Sequence, residues 1–223
     1  SGFSGGALPG GTGWYRKTFT IGKKLAGKKI CIDFDGVYMH SEVYINGQLV
    51  GKRPYGYIPF RYDLTPYIKF GEPNVIAVKA DNSRQPNSRW YSESGIYRNV
   101  WLTVLNPVHV DLWGTYVTTP KVTATQADIV INTTVRNEKT DPCDVEISTT
   151  LLDAQNKSIR KAVETLRVSS EHTGVCRQTI ALDNPRLWSP ETPYLYQVKT
   201  ELKVDGKLTD TYYTTTGVRT FTF

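Results

Sequence analysis

Apolar residues in this chain recur at every second position over one short run after another, and nowhere at every third or fourth. Strand side chains alternate between two faces, whereas helix side chains return to a face after about 3.6 residues, so this period decides the fold class. The runs cover residues 14–21, 28–34, 42–45, 48–51, 58–62, 74–80 and 100–105, then 129–135, 145–151, 194–204 and 209–216. Asn46-Gly47 and Asp205-Gly206 each fall between two successive runs. Such pairs tolerate the positive φ of a two-residue hairpin turn and mark a reversal between paired strands. One helix-like candidate exists, residues 63–68, with Asp63 or Thr65 as its cap and Pro66 at its first position. The chain reads as all-β.

Its texture changes at Asn106-Pro107. Before that point the runs are separated by long loops rich in glycine and aromatics, which favours a jelly-roll double sheet over residues 1–107. After it aromatics thin out, strands lengthen, and Thr, Val, Asp and Lys dominate. About seven strands over residues 108–223 fit an immunoglobulin-like β-sandwich that lacks the Cys…Trp…Cys core of antibody domains.

The net charge of +6 is mild for 223 residues. Lys23, Lys24, Lys28 and Lys29 cluster around Gly27 without interleaved aromatics, so they read as a solvated turn and not as a nucleic-acid surface. No apolar run approaches the roughly 20 residues of a membrane span. Three cysteines are too few and too scattered for a disulfide scaffold; a Cys143–Cys176 bridge is left open. His40, His109 and His172 lie far apart, and none is at ligand spacing from a Cys or another His, so no metal is expected. No dinucleotide or phosphate-binding fingerprint is present, and no cofactor is expected.

The segment Arg89-Trp-Tyr-Ser-Glu-Ser-Gly-Ile-Tyr-Arg98 packs aromatic, cationic and anionic residues together before a strand begins. A sugar offers C–H bonds on one face and hydroxyls around its rim, so its receptor needs an aromatic plate and hydrogen-bonding groups. Arg89, Trp90, Tyr91 and Glu93, with Asn82 upstream, supply that set. The competing reading is that Trp90 and Tyr91 cap the open end of a sandwich against another domain. Cleaving a glycoside with retention takes two facing carboxyls about 5–5.5 Å apart. Asn137-Glu138 reads as a solvated hairpin turn, and Asp33 and Asp35 as polar residues on one strand face. No residue is assigned a catalytic role.

The chain resembles the non-catalytic front part of glycoside hydrolase family 2, the β-galactosidase/β-glucuronidase/β-mannosidase group, and is most like bacterial β-galactosidase-type members. The segments that carry the resemblance are Gly10-Gly-Thr-Gly-Trp-Tyr-Arg-Lys17, Val43-Tyr-Ile-Asn-Gly47, Gly56-Tyr57, Asp63-Leu-Thr65 and Ser94-Gly-Ile-Tyr-Arg98. In the second half they are Val135-Arg-Asn-Glu138, Leu187-Trp-Ser-Pro-Glu-Thr-Pro-Tyr-Leu-Tyr196 and Gly217-Val-Arg219. The resemblance implies a sugar-binding jelly roll, then an immunoglobulin-like domain, then a catalytic (β/α)8 barrel of about 250 residues that would follow Phe223. It also implies a further opening segment before Gly10. On this reading the loop of Arg89, Trp90 and Tyr91, with residues 8–11 beside it, leans over the barrel mouth and frames a terminal β-linked sugar. Typical members carry Gly where this chain has Glu93, which leaves that contact open. The resemblance further implies dimers or tetramers and a periplasmic or secreted enzyme. An independent carbohydrate-binding module is the alternative.

Overall fold

The computed structural model describes residues 11–84 and 94–220, and nearly all of them lie in strands or the turns between strands. The chain divides into two compact units between Leu105 and Asn106.

The first unit contains β1 (Thr12–Thr20), β2 (Lys29–Phe34), β3 (Val37–Tyr38), β4 (Ser41–Ile45), β5 (Gln48–Arg53), β6 (Phe60–Asp63), β7 (Pro73–Asp81), β8 (Gly95–Ile96) and β9 (Val100–Leu105). They form a four-stranded sheet in the order β1-β7-β4-β5, a three-stranded sheet β6-β2-β9 and a short β3-β8 ladder. This is the expected jelly roll. Strict alternation builds its core: Ile30, Ile32 and Phe34 of β2 face Ile76, Val78 and Ala80 of β7, and all six are buried. Each of the larger five, Ala80 apart, contributes about 1.5–3 kcal/mol when fully buried.

The Asn46-Gly47 turn joins β4 to β5 with φ of +50° and +83°. Asn46 also reaches inward: its Nδ2 donates to the Tyr67 carbonyl and to Asn74 Oδ1, each at 2.9 Å. Asn74 is buried and holds residues 69–72 through its own amide, so this hairpin is latched to the next loop. The helix-like candidate is a 3-10 turn at Thr65–Tyr67 with Leu64 as its cap residue. Asp63 accepts the Thr65 amide at 2.9 Å instead of capping a longer helix, and Lys29 pairs with it at 3.0 Å. The lysine-rich stretch is the expected turn, a 3-10 turn at Lys23–Leu25 followed by Gly27 at φ +83°.

The second unit holds β10 (Val108–Val122), β11 (Gln126–Asn137), β12 (Cys143–Leu152), β13 (Ser158–Val168), β14 (Thr173–Asp183), β15 (Tyr196–Val204) and β16 (Lys207–Thr216). Sheets β10-β11-β14 and β13-β12-β15-β16 make the immunoglobulin-like sandwich, with the fourth strand beside the third. Its core falls into two apolar clusters, one around Val135, Ile147 and Leu202, the other around Ile129, Leu151 and Val198. Within the buried interior Thr149 donates to Gln178 Oε1 at 2.6 Å, and Gln178 Nε2 donates to the Ile147 carbonyl at 3.2 Å. A buried polar pair must be satisfied internally, and this one ties the two sheets together. Cys143 and Cys176 are buried free thiols, so the bridge left open by the sequence is not formed.

The expectation of a solvated turn at Asn137-Glu138 needs correction. Asn137 ends β11 as the last inward residue of its alternation and is fully buried. Its Nδ2 faces the carbonyls of Asp141, Val168 and Ser169 at 2.9, 3.3 and 3.2 Å, while Oδ1 accepts the Lys139 amide at 3.0 Å. Four backbone groups of two loops converge on one amide because an Asn side chain can both donate and accept. The exposed residues are those beyond it, 139–142.

Candidate functional site

Arg89, Trp90, Tyr91 and Glu93 lie outside the described residues; the structure shows the ground on which their segment stands. Its two feet are joined. Asn82, one residue past β7, is only 4% exposed, donates from Nδ2 to Ser94 Oγ at 2.8 Å, and donates its backbone N–H to the Gly11 carbonyl at 2.9 Å. Asn82 therefore brings together the start of β1, the end of β7 and the entry to β8. Beside it, Ser83 donates its backbone N–H to Asp81 Oδ1 at 3.0 Å, and the side-chain and backbone hydrogen bonds from Ser83 hold the Asp81 carboxyl below the usual carboxylate range.

From Ser94 the chain enters β8, which pairs with β3 through Val37↔Ile96 and Tyr38↔Gly95. Gly95 is buried at φ +91°, and a Cβ there would run into the Tyr15 hydroxyl. That hydroxyl accepts the Ile96 N–H at 3.3 Å. Only glycine satisfies both the backbone conformation and the close approach.

A set of tyrosines surrounds this ladder. Tyr97 donates its hydroxyl to the Gly56 carbonyl at 2.8 Å. Tyr38 packs edge-on against Tyr57 with centroids 5.1 Å apart, and Tyr57 against Tyr55 at 5.7 Å. Tyr38 is buried, whereas Tyr55 and Tyr57 are about half exposed. On the adjoining edge His40 takes a left-handed φ of +43° and donates its backbone N–H to the Pro54 carbonyl, while Met39 accepts the Asp81 N–H at 2.8 Å. Segments distant in sequence thus meet at one end of the first unit, presenting exposed phenol rings beside hydrogen-bonding groups. The Tyr55-Gly-Tyr57 spacing was the available signal for this patch; the Tyr38 and Tyr97 contributions required the fold.

The carboxylates weighed from sequence are held in other arrangements. Asp33 accepts a bidentate pair from Arg61 at 2.6 and 3.1 Å and the Thr103 hydroxyl at 2.6 Å. Asp35 accepts the Trp101 indole N–H at 3.1 Å. Glu138 lies 3.8 Å from Arg136. None of these contacts sets two carboxyls across a cleft. Among the described residues no group of three His, Cys, Asp or Glu side chains could hold a metal ion.

Comparison with known proteins gives two family matches in succession. Residues 8–106 match the sugar binding domain of glycosyl hydrolases family 2, and residues 108–219 match the model described as glycosyl hydrolases family 2. A β-galactosidase of Bacteroides ovatus is 50% identical over 221 residues, covering 99% of this chain and 26% of that protein. A putative β-glucuronidase of Formosa agariphila is 41% identical, covering 98% of this chain and 20% of that protein. Among solved structures, a glycosyl hydrolase family 2 member from Bacteroides cellulosilyticus superposes with a TM-score of 0.95 at 37% identity, covering 99% of this chain and 28% of that one. A β-glucuronidase of the same family superposes at 0.91 with 34% identity, covering 95% of this chain and 24% of that one. The chain spans about a quarter of the length of these relatives.

Proposed function

Given that the chain belongs to glycosyl hydrolases family 2, we propose that it is the sugar-binding and scaffold portion of a retaining exo-β-glycosidase of β-galactosidase type. Its work is to frame a terminal β-linked sugar for a catalytic barrel carried by the same polypeptide. The supporting observation is the end of the first unit, where Asn82, Ser94 and Gly95 clamp the feet of the Arg89–Glu93 segment beside exposed tyrosines. A clamp of this kind fixes a loop at low entropic cost when it closes over a ligand. Arg89 and Glu93 would meet sugar hydroxyls, and Trp90 or Tyr91 the C–H face. Bond cleavage would belong to two carboxyls of the barrel. The same reading includes a periplasmic or secreted enzyme and a dimeric or tetrameric assembly, tested by cell fractionation and by sedimentation.

The direct test compares the 223-residue chain with the longer polypeptide on a nitrophenyl β-galactoside. The chain alone should show no turnover, and Trp90→Ala in the longer polypeptide should lower kcat/KM about tenfold, the effect of losing ~1.4 kcal/mol of stacking. Robust hydrolysis by the short chain, abolished by a substitution within it, would refute the proposal. The half-exposed Tyr55 and Tyr57 also favour a second reading, an independent carbohydrate-binding module. It requires calorimetric binding of a galactoside by the isolated chain, weakened by Tyr57→Ala.

A further inference from the structure

The sheet β1-β7-β4-β5 has one face on the core and the other in water. Val43, Ile45, Ile76 and Val78 are sealed on the first. Alternation sends their neighbours to the second, where rows of side chains cross the strands. One row is Trp14, Lys79, Glu42 and Lys52; the next holds Arg16, Ala77 and Tyr44. With strands about 4.8 Å apart and rows about 6.7 Å apart, upright rings on Trp14 and Tyr44 would stand about 12 Å from each other. Their centroids are 5.8 Å apart, with the planes 37° to one another. The two rings therefore lean toward each other over β7, and Ala77 between them is too small to hold them up. Trp14 is nevertheless 60% exposed, so its indole lies along the sheet with its outer face in water.

Polar groups border this ring. The Tyr44 hydroxyl donates to Glu42 Oε2, Lys52 Nζ donates to Glu42 Oε1 at 3.2 Å, and Lys79 Nζ lies 3.8 Å from the same oxygen. The hydrogen bonds from Tyr44 and Lys52 hold the Glu42 carboxyl below the usual carboxylate range, so it stays an acceptor. Lys79 also lies 3.9 Å from Asp81, and Arg16 is exposed one row away. The cations Arg16, Lys52 and Lys79 stand against the carboxylates Glu42 and Asp81, which leaves the surface close to neutral. Such a surface has little field to draw in a polyanion. A neutral pyranose finds there an aromatic plate for its C–H face, with donors and acceptors for its hydroxyls around the rim.

We propose that Trp14, laid over β7 and bordered by Glu42, Lys79 and Arg16, is a platform that binds one unit of a neutral β-linked oligosaccharide. The inference takes the sugar class from the proposed function but uses none of the residues assigned to sugar contact there. Along β1 the platform begins two residues after Thr12, which pairs with Asp81 beside the Asn82 clamp. Thr12 and Trp14 share the outer face about 7 Å apart. A chain whose end is held past the clamp can therefore lay a later unit on the indole. Stacking on one open ring gives weak binding with little demand on the identity of the sugar, whereas the rim groups favour equatorial hydroxyls over charge.

The test reads Trp14 itself. The chain is made with fluorotryptophan, and the Trp14 fluorine resonance is identified by its loss in Trp14→Phe. A linear β-linked galactotetraose should shift that resonance saturably with a Kd of about 1 mM, and the matching tetragalacturonide should bind no more tightly. Because the reading is taken on the unsubstituted sequence, it stands however the variant folds. The shift should persist in Trp90→Ala, so failure of the Arg89–Glu93 reading and failure of this one are told apart. No shift at about 10 mM tetraose would overturn the proposal. So would a shift that vanishes in Trp90→Ala, or tighter binding of the galacturonide. A Trp14 resonance that stops responding in the longest polypeptide carrying this chain would make the face a contact between domains, and one that moves with protein concentration alone would assign it to a second copy. Either would overturn the proposal.

Discussion

Replacing Asn137 by Asp changes one NH2 group for one oxygen, and the structure makes the consequence large and pH-dependent. The amide sits in full burial with its donor hydrogens facing three carbonyl oxygens, at 2.9, 3.3 and 3.2 Å. An ionised Asp would aim negative charge at all three. Removing donors from buried carbonyls costs about 1–3 kcal/mol, and the ionised carboxyl adds a desolvation penalty that drives it to stay protonated. Against a reference pKa of about 3.9, holding that proton at pH 7 costs about 4 kcal/mol, at 1.36 kcal/mol per pH unit. Because the folded-state pKa is raised, folding of the Asp variant is least perturbed below the unfolded-state pKa and weakens as pH climbs toward the folded-state value. The expected loss is about 5 kcal/mol at pH 7, with most of the ionisation part regained at pH 4. Asn137→Ala, which carries no charge, should lose about 3 kcal/mol at both. Urea melts of the chain, followed by far-UV circular dichroism and by tryptophan fluorescence, measure both variants. If Asp and Ala lose equal stability at pH 7, or the Asp variant shows no pH dependence between 4 and 7, the latch reading is wrong.

Three further outcomes follow from the structure. Gly95→Ala places a Cβ at φ +91° into the Tyr15 hydroxyl and should lower the stability of the first unit by about 2–3 kcal/mol; Tyr15→Phe in the same background should restore part of it, and strict additivity of the two in urea melts would refute the contact. Burial pushes the Cys31 thiol up to about 11 and raises those of Cys143 and Cys176. All three should resist an aromatic disulfide reagent at pH 8 until denaturant is added, and one native fast-reacting thiol would contradict this. Since the raised Cys31 pKa favours the neutral folded form, stability should decline as pH rises from about 9 to about 11, by up to about 2–3 kcal/mol.

Much of the scaffold was readable without coordinates because its signals are local. The alternation of residues 74–80 became β7 with Asn74, Ile76, Val78 and Ala80 buried. Asn46-Gly47 became a hairpin because that dipeptide tolerates the torsions a tight reversal imposes. Other strands gave less warning. β13 is a charged, mostly exposed edge strand with an irregular step at Leu151/Leu152 beside it, so its period is blurred. Burial, too, was not a local property. Val100, Leu102 and Val104 sit opposite buried residues of β2 yet are exposed, because what packs over a strand is not specified by its own residues. Asn137 shows the reverse: a polar residue at an apparent turn is buried because loops from residues 141 and 168–169 fold back onto it.

The candidate site divides along the same line. At 89–93 composition alone carries the proposal of sugar contact, since stacking and hydrogen bonding require aromatic and charged side chains wherever they are placed. The patch of Tyr38, Tyr55, Tyr57 and Tyr97 could not be read that way, because contacts between residues up to 41 positions apart exist only once sheets close. Sequence alone determined strands, turns and the residue types available for recognition, which follow from torsions and from side-chain period. Tertiary structure decided which of those residues meet, which are sealed from water and which stay exposed, because each is set by chain segments packed from a distance.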